Sequence, residues 1–283
     1  MASMMVIDKE QLGPFTWRMM LAYGQTTALP GQYLTIHCGE ETIPQRPFSI
    51  INLGENVKPD TDKNYYEILF KIKGAGTRWL SERKIGDQVE VEGPKGNGFQ
   101  NLQEDLYKDG ETKSIILVAG GMGIAPIYAL LKWISISRRF HSVHLIYGAE
   151  TGGDIIIDTK SLPLPKILGS FDMSITTEDG SLGEQGYPTS VFTRSLLYAE
   201  RFKTFSQTFV YACGPTLMLA KVAEDLKLYD ISCQAALETI MGCGGNHRCY
   251  GDAIPRADKK GFFLLCEDGP VFDIKEVDFD VMA

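Results

Sequence analysis

Ile115-Ile116-Leu117-Val118-Ala119-Gly120-Gly121-Met122-Gly123-Ile124-Ala125-Pro126 carries three signals in succession. The first five residues are an unbroken apolar run, as expected for a strand buried on both faces. The glycines then predict a tight turn. Beyond them Ile127, Leu130, Leu131 and Ile134 fall at i, i+3, i+4 and i+7, the stripe of an amphipathic helix. A Gly-rich turn between a buried strand and a helix is the setting of a nucleotide-phosphate site, because backbone N–H groups and the helix N-terminus both face the anion. The same turn without a ligand is the plainer reading. Pro126 stands where the dinucleotide fingerprint has its last glycine.

Downstream the alternation repeats. Val143 to Tyr147, Asp172 to Thr176 and Thr208 to Ala212 read as strands. Val191 to Arg201 reads as a helix, and Pro215 opens another through Leu226. Alternating strands and helices predict an open parallel sheet wrapped by helices. Upstream the texture differs. Tyr33 to His37, Tyr65 to Lys73 and Gln88 to Glu92 are short, turn-bounded, alternating runs. Several of these within about a hundred residues predict a small closed antiparallel barrel. Gly54 to Asn64 reads as a hairpin loop. The expected fold is therefore a six-stranded antiparallel β-barrel (residues 1–103), then a parallel-sheet α/β domain (104–231), then a small cysteine-bearing element (232–283).

Composition narrows the function classes. The chain has 283 residues, 44% hydrophobic and 23% charged, which excludes wholesale disorder. Its net charge of −8 argues against binding a nucleic-acid backbone. The most apolar stretch, Ile115 to Ile136, is interrupted by glycines and Pro126, so no membrane span is expected. The first residues lack a charged n-region and apolar core, so no secretory signal is expected and a cytoplasmic location is. Reduced cysteines follow from that. Four of the six, Cys233, Cys243, Cys249 and Cys266, lie after Ser232, and such density favours metal over disulfide.

Other motifs carry candidate chemistry. Arg46-Pro47-Phe48-Ser49 offers a guanidinium fork and a hydroxyl beside a rigid proline, suited to a phosphate and a flavin edge; it also reads as a strand with one surface arginine. Gly74-Ala75-Gly76-Thr77 allows backbone to approach a pyrophosphate. Gly93 to Phe99 closes the barrel. Ala212-Cys213-Gly214-Pro215 ends a strand, where ligands of open α/β sheets bind. Cys213 is either a nicotinamide neighbour or a small core residue. Glu150 follows Tyr147-Gly148-Ala149 and either accepts from a ribose 2′-hydroxyl or is a solvated loop carboxylate. His37, His141, His144 and the Arg138-Arg139 pair read as structural. No G-x-S-x-G, H-E-x-x-H or Walker motif is present.

Taken in order, R-P-F-S, G-x-G-T, G-G-M-G-I-A-P, Tyr147-Gly148-Ala149, Thr177-Glu178-Asp179-Gly180-Ser181-Leu182-Gly183 and Y-A-C-G-P resemble the ferredoxin reductase-like flavoprotein superfamily. Within it the chain is most similar, from about Val6 to its end, to the electron-transfer subunits of class 1B dihydroorotate dehydrogenase. The resemblance implies FAD on the barrel, at Arg46, Pro47, Phe48, Ser49, Gly74, Gly76 and Thr77. It implies NAD on the α/β domain, at Gly121, Gly123, Cys213 and Gly214, with Cys213 beside the reacting ring. It implies a [2Fe–2S] cluster in the tail, an FMN-bearing partner subunit and a role in pyrimidine biosynthesis. The tail departs from the family's spacing. Five residues separate Cys243 from Cys249, two more lead to Asp252 where a cysteine is expected, and thirteen lead to Cys266. Cys243, Cys249, Asp252 and Cys266 are the expected ligands, with His247 a rival for the fourth place. Zinc on the same set and a degenerate, empty site stay open. So do a different redox partner, such as a hydrogenase, a sulfide dehydrogenase or a ferredoxin-linked complex, and a binding module with a vestigial flavin fold.

Overall fold

The computed structural model describes residues 1–22, 28–39, 45–51, 65–102, 113–136, 141–157, 169–201, 207–243 and 251–282. The expected hairpin at Gly54 to Asn64, the Arg138-Arg139 pair, His247 and Cys249 lie outside them, as does the side chain of His141.

Six strands form the first sheet: β1 (Ala2–Gln11), β2 (Thr16–Ala22), β3 (Tyr33–His37), β4 (Gln45–Ser49), β5 (Tyr65–Lys71) and β6 (Gln88–Lys95). Their order is β4-β3-β6-β1-β2-β5, antiparallel at every pairing. An Ile50–Ile68 bridge joins the end of β4 to β5 and closes the barrel. Met4, Val6, Leu21, Leu34, Ile36, Ile68 and Val91 fill its interior. The first residues are part of this structure: Ala2 to Met5 pair with Val91 to Gln88, and Met4 is buried. A short helix, α1 (Ala75–Ser81), follows β5.

The second sheet runs β10-β9-β8-β7-β11-β12-β15. Its members are β7 (Ser114–Gly120), β8 (His141–Ala149), β9 (Gly169–Thr177), β10 (Glu184–Gln185), β11 (Thr208–Cys213), β12 (Ser232–Ala236) and β15 (Val271–Asp273). All pairings are parallel except β12 with β15. Helices α2 (Ile124–Ile136), α3 (Pro188–Arg201) and α4 (Thr216–Leu226) cover it. The continuous apolar run is explained by the side-chain alternation of β7. Ile116 and Val118 enter one core with Phe192, Leu219 and Val222, while Ile115, Leu117 and Ala119 enter another with Ile127, Leu130 and Leu131.

The tail is built onto this sheet. Its strands β12 and β15 lie side by side at the sheet edge, and the chain between them makes a two-stranded excursion of β13 (Ala253–Pro255) and β14 (Phe262–Leu264) with helix α5 (Leu265–Asp268). Helix α6 (Phe279–Met282) ends the described chain.

Candidate functional site

Strand order reverses direction of travel between β7 and β11, and the crevice at a switch of this kind is where open α/β sheets take ligands. Both glycine motifs sit at its rim. Gly121 has a φ of +53°, and a Cβ there would meet nothing within 4 Å, so the turn presents bare backbone to the groove. Gly123 does other work. It is buried, and a Cβ there would collide with the Cys213 carbonyl, so the turn after β7 packs directly on the strand end after β11. Gly214 likewise lies against Met218 and the Gly120 backbone. The two motifs are one structural unit.

Two cavities open from this unit. The first lies between barrel and sheet. Pro47, Phe48 and Ser49 of β4, Leu69 to Lys71 of β5 and Thr77 line one wall; Met122, Ala125, Pro126, Cys213 and Ala236 to Thr239 line the other. The Gly74–Thr77 turn is shaped by its own threonine. Thr77 Oγ1 accepts from the N–H groups of Lys73 and Gly74, at 2.9 and 3.2 Å, and donates to the Gly74 carbonyl. The Arg46 side chain lies across Gly76, filling the space a Cβ would occupy. Arg46, Ser49, Gly76 and Thr77 are thereby brought together, and they frame a cradle with a cation and free backbone on one side and an apolar slot on the other. Gly74 stands at the helix cap in open space.

Cys213 is fully buried, and desolvation with the nearby Glu238 carboxyl raises its thiol well above the ordinary value. It is a neutral contact surface rather than a nucleophile. Glu238 faces the same cavity just past β12. Its carboxyl is raised by desolvation on the cavity side, although the residue as a whole is exposed, and Lys73 partly counters this. It was not among the expected site residues, although its place at the carboxyl end of a parallel strand is the signal that could have found it.

The second cavity runs along the strand ends. Gly120, Gly121, Gly148, Ala149, Glu150, Glu178, Tyr187, Pro188, Met218 and Lys221 line it. Glu150 faces this groove, and a second carboxylate joins it: Glu178 Oε2 accepts from the Tyr187 hydroxyl at 3.4 Å. The loop carrying Glu178 is held by Thr177 Oγ1, which donates to the Leu182 carbonyl at 2.8 Å. Lys221 is engaged by Glu224 and Asp225, both at 2.9 Å.

In the tail, Asp252 and Cys266 come together. Both are buried, and Asp252 Oδ2 accepts the Cys266 N–H at 2.8 Å. Cys243 is half-buried. Among the described residues no three His, Cys, Asp or Glu side chains gather into a metal-holding group. The donor chemistry nonetheless suits a thiolate-bound metal: two thiols and a carboxyl lie near the buried Tyr33 hydroxyl, which has no hydrogen-bond partner among the described residues. The tail is fastened to the barrel by Asn97. Its backbone N–H donates to the Gly269 carbonyl at 2.9 Å and its Nδ2 to Asp268 and Val271 carbonyls at 3.0 and 2.8 Å. Its Oδ1 accepts the Val271 N–H at 3.1 Å.

His144 is structural, as expected, with Nε2 2.9 Å from Ser174 Oγ and Nδ1 3.3 Å from Ser195 Oγ. No helix among the described residues is long and apolar enough to cross a membrane.

Comparison with known proteins agrees with this geometry. The family profile for an oxidoreductase NAD-binding domain matches residues 117–224. The chain is 32% identical over 276 residues to the dihydroorotate dehydrogenase B (NAD(+)), electron transfer subunit, of Caldanaerobacter subterraneus subsp. tengcongensis, covering 97% of both chains. It is 30% identical to the subunit of the same name from Bacillus mycoides, again covering 97% of each. Among solved structures, an NADH-dependent reduced ferredoxin-NADP oxidoreductase matches with a TM-score of 0.74 at 23% identity, over 99% of this chain and 91% of that one. That likeness extends the shared fold through the tail.

Proposed function

The chain belongs to the family of dihydroorotate dehydrogenase B electron transfer subunits, and from that premise we propose that it passes electrons between NADH and a partner oxidoreductase through FAD and a [2Fe–2S] cluster. The partner is the FMN-bearing subunit that oxidises dihydroorotate in pyrimidine biosynthesis, in a cytoplasmic hetero-oligomer. One observation carries the reading. The R-P-F-S strand, the Thr77 turn and the Cys213 motif, far apart in sequence, line a single cavity between barrel and sheet.

Beside that cavity Arg46 and the Gly74–Thr77 turn would hold the pyrophosphate of FAD, by a bidentate fork and the turn's backbone. Pro47, Phe48 and Ser49 border the isoalloxazine. The groove at Gly120-Gly121 takes the NAD phosphates, and Cys213 flanks the nicotinamide. The chain's contribution would be to hold flavin and nicotinamide within reach of each other and to exclude water. Bound FAD supplies a carrier that exchanges electron pairs with nicotinamide and single electrons with metal centres. Cys243, Cys249, Asp252 and Cys266 would hold a cluster, which would supply one-electron chemistry.

An anaerobic visible spectrum with iron, sulfide, zinc and FAD quantified on one sample tests the proposal. Flavin bands with about two irons and two sulfides per chain support it. Flavin without iron or sulfide restricts it to a plain FAD and NAD reductase, and a colourless protein overturns it. A sister reductase subunit serving another partner is the second reading, favoured by the irregular C-x5-C-x2-D spacing, since the ligand set tunes potential to partner. Copurification of the native partner separates the two.

A further inference from the structure

Alternate residues of β5 point to opposite sides of the barrel wall. Tyr66, Ile68 and Phe70 enter the barrel core. Glu67, Leu69 and Lys71 therefore face outward, and each meets the α/β half of the molecule. Leu69 joins the core of β7 and α2, Lys71 reaches Asp154, and Glu67 lies 4.0 Å from Lys132 of α2. The Glu67 side chain is 7% exposed and that of Lys132 20%. The carboxylate is shared: Oε2 faces Lys132, while Oε1 lies 3.5 Å from Nε of Arg18 on β2. Arg18 is in turn held by Glu10 at 2.7 Å. Glu67 is thus braced by the barrel on one side and by α2 on the other.

Neither Glu67 nor Lys132 lines the flavin-side cavity or the nucleotide groove, so no ligand contact explains the pair. A pair buried to this degree is a weak source of stability, because desolvation of both charges offsets their attraction and apolar side chains of similar volume serve as well. What it adds is a defined distance between two elements, and those elements carry the walls of the flavin-side cavity. From Glu67, β5 passes into Leu69, Phe70 and Lys71, which line the barrel wall. Helix α2 follows directly from the Gly121–Gly123 turn, and its Ala125 and Pro126 line the opposite wall. Ala125, Tyr128 and Lys132 fall at i, i+3 and i+7, one face of the helix. Lys132 Nζ lies 5.6 Å from the centre of the Tyr128 ring on that face. The helix is stiff over these two turns, about 10 Å, so a tilt imposed at Lys132 is felt at Ala125.

Resting on the flavin and nucleotide reading above, we propose that Glu67 is a positioning residue for hydride transfer: through Lys132 it sets the tilt of α2 against the barrel, and so the separation of the two cavity walls. In the step it serves, a C–H bond of the reduced nicotinamide breaks and an N–H bond to the flavin forms. The proton and electron pair that NADH loses in becoming NAD+ are those the flavin gains. Such a transfer is steep in distance, since a misplacement of about 1 Å can cost on the order of a hundredfold. Glu67 itself touches neither ring and exchanges no proton.

The test is a double-mutant cycle of Glu67→Gln and Lys132→Met in the full chain, purified with FAD. Anaerobic stopped flow follows reduction of the flavin by NADH. The long-wavelength charge-transfer absorbance of NAD+ against reduced flavin reports ring contact independently of turnover. Each single variant is expected to keep its FAD and its affinity for NADH, to lose about tenfold in the limiting rate of reduction, and to lose most of the charge-transfer band. The double variant is expected to lose no more than either single, because the two side chains act through each other. Full rate and band in the single variants overturn the proposal, and so do losses that multiply in the double variant. Release of FAD with a normal rate in the loaded fraction marks a merely structural joint and also overturns it. Should Glu67→Gln fail to fold, Lys132→Met decides alone on the same rate and band. A wild-type protein that is colourless, or whose flavin NADH does not reduce, overturns the flavin and nucleotide reading on which the proposal rests, so the two failures are distinguishable.

Discussion

At Cys213 the environment decides the chemistry. A thiol this deeply buried beside a carboxyl stays protonated through the physiological range. Alkylating reagents are expected to leave it unmodified in the folded chain, as mass spectrometry after iodoacetamide would reveal. Cys213→Ala should retain FAD and slow flavin reduction by NADH by about tenfold, since the loss is one of ring positioning. On the proposed function, the pair Glu150 and Glu178 would govern the choice of nucleotide. Both face the groove, and Lys221, which also lines it, is held by other carboxylates. A ribose 2′-hydroxyl can donate to such a pair, whereas a 2′-phosphate is repelled. Replacing both by glutamine should improve kcat/KM for NADPH by about tenfold or more with little change for NADH, as a charge repulsion of about 1.4 kcal/mol would imply. Steady-state assays with the two nucleotides check it.

Between elements, Asn97 joins barrel to tail. Its side chain makes three hydrogen bonds to backbone on either side of Pro270. Asn97→Ala removes all three, at roughly 1 kcal/mol each, so a loss of about 2–3 kcal/mol is expected by chemical denaturation. Iron retention should fall before FAD retention does. Sequence reading treated this segment only as the closure of the barrel, and nothing local in Gly96-Asn97-Gly98 says that its partners lie some 170 residues away. By contrast, the strand, turn and helix around Gly120 to Gly123 were legible because each signal is local: an apolar run, glycines, then a 3.6-residue period. The Cys213 and Gly123 motifs were readable one by one. Their direct packing was not, since it depends on two parallel strands becoming neighbours. Glu178 was legible only as part of the Thr177–Gly183 motif, and Tyr33 only as a strand aromatic, because the fold alone assigns them neighbours.

At the scale of the whole molecule, barrel and sheet are tied by ion pairs at the cavity's edge. Lys71 of β5 meets Asp154 at 2.8 Å, and Glu67 of β5 lies 4.0 Å from Lys132 of α2 and 3.5 Å from Arg18. Desolvation alone would raise the Asp154 carboxyl, but hydrogen bonds from Lys71 and Thr151 and the lysine charge outweigh it and hold it below 3.8. A carboxylate depressed in the folded state contributes stability above its unfolded value and loses it as pH falls through the folded one. Asp154→Asn should therefore cost about 1 kcal/mol near neutral pH, with the gap from wild type closing below about pH 4. Thermal melts of both proteins from pH 3 to 7 read this directly.

The cysteine-bearing excursion leaves the sheet after Ala236 and returns at Val271, and those two residues are paired across adjacent strands. Its entry and exit are thus neighbours, whatever lies between. A segment inserted at such a point behaves as a cassette: it can lengthen, shorten or exchange ligands without moving the strands that bear Cys213. Irregular spacing between the cysteines is a freedom this attachment grants, and a metal site could be rewritten there, or lost, while the barrel and sheet stayed as they are.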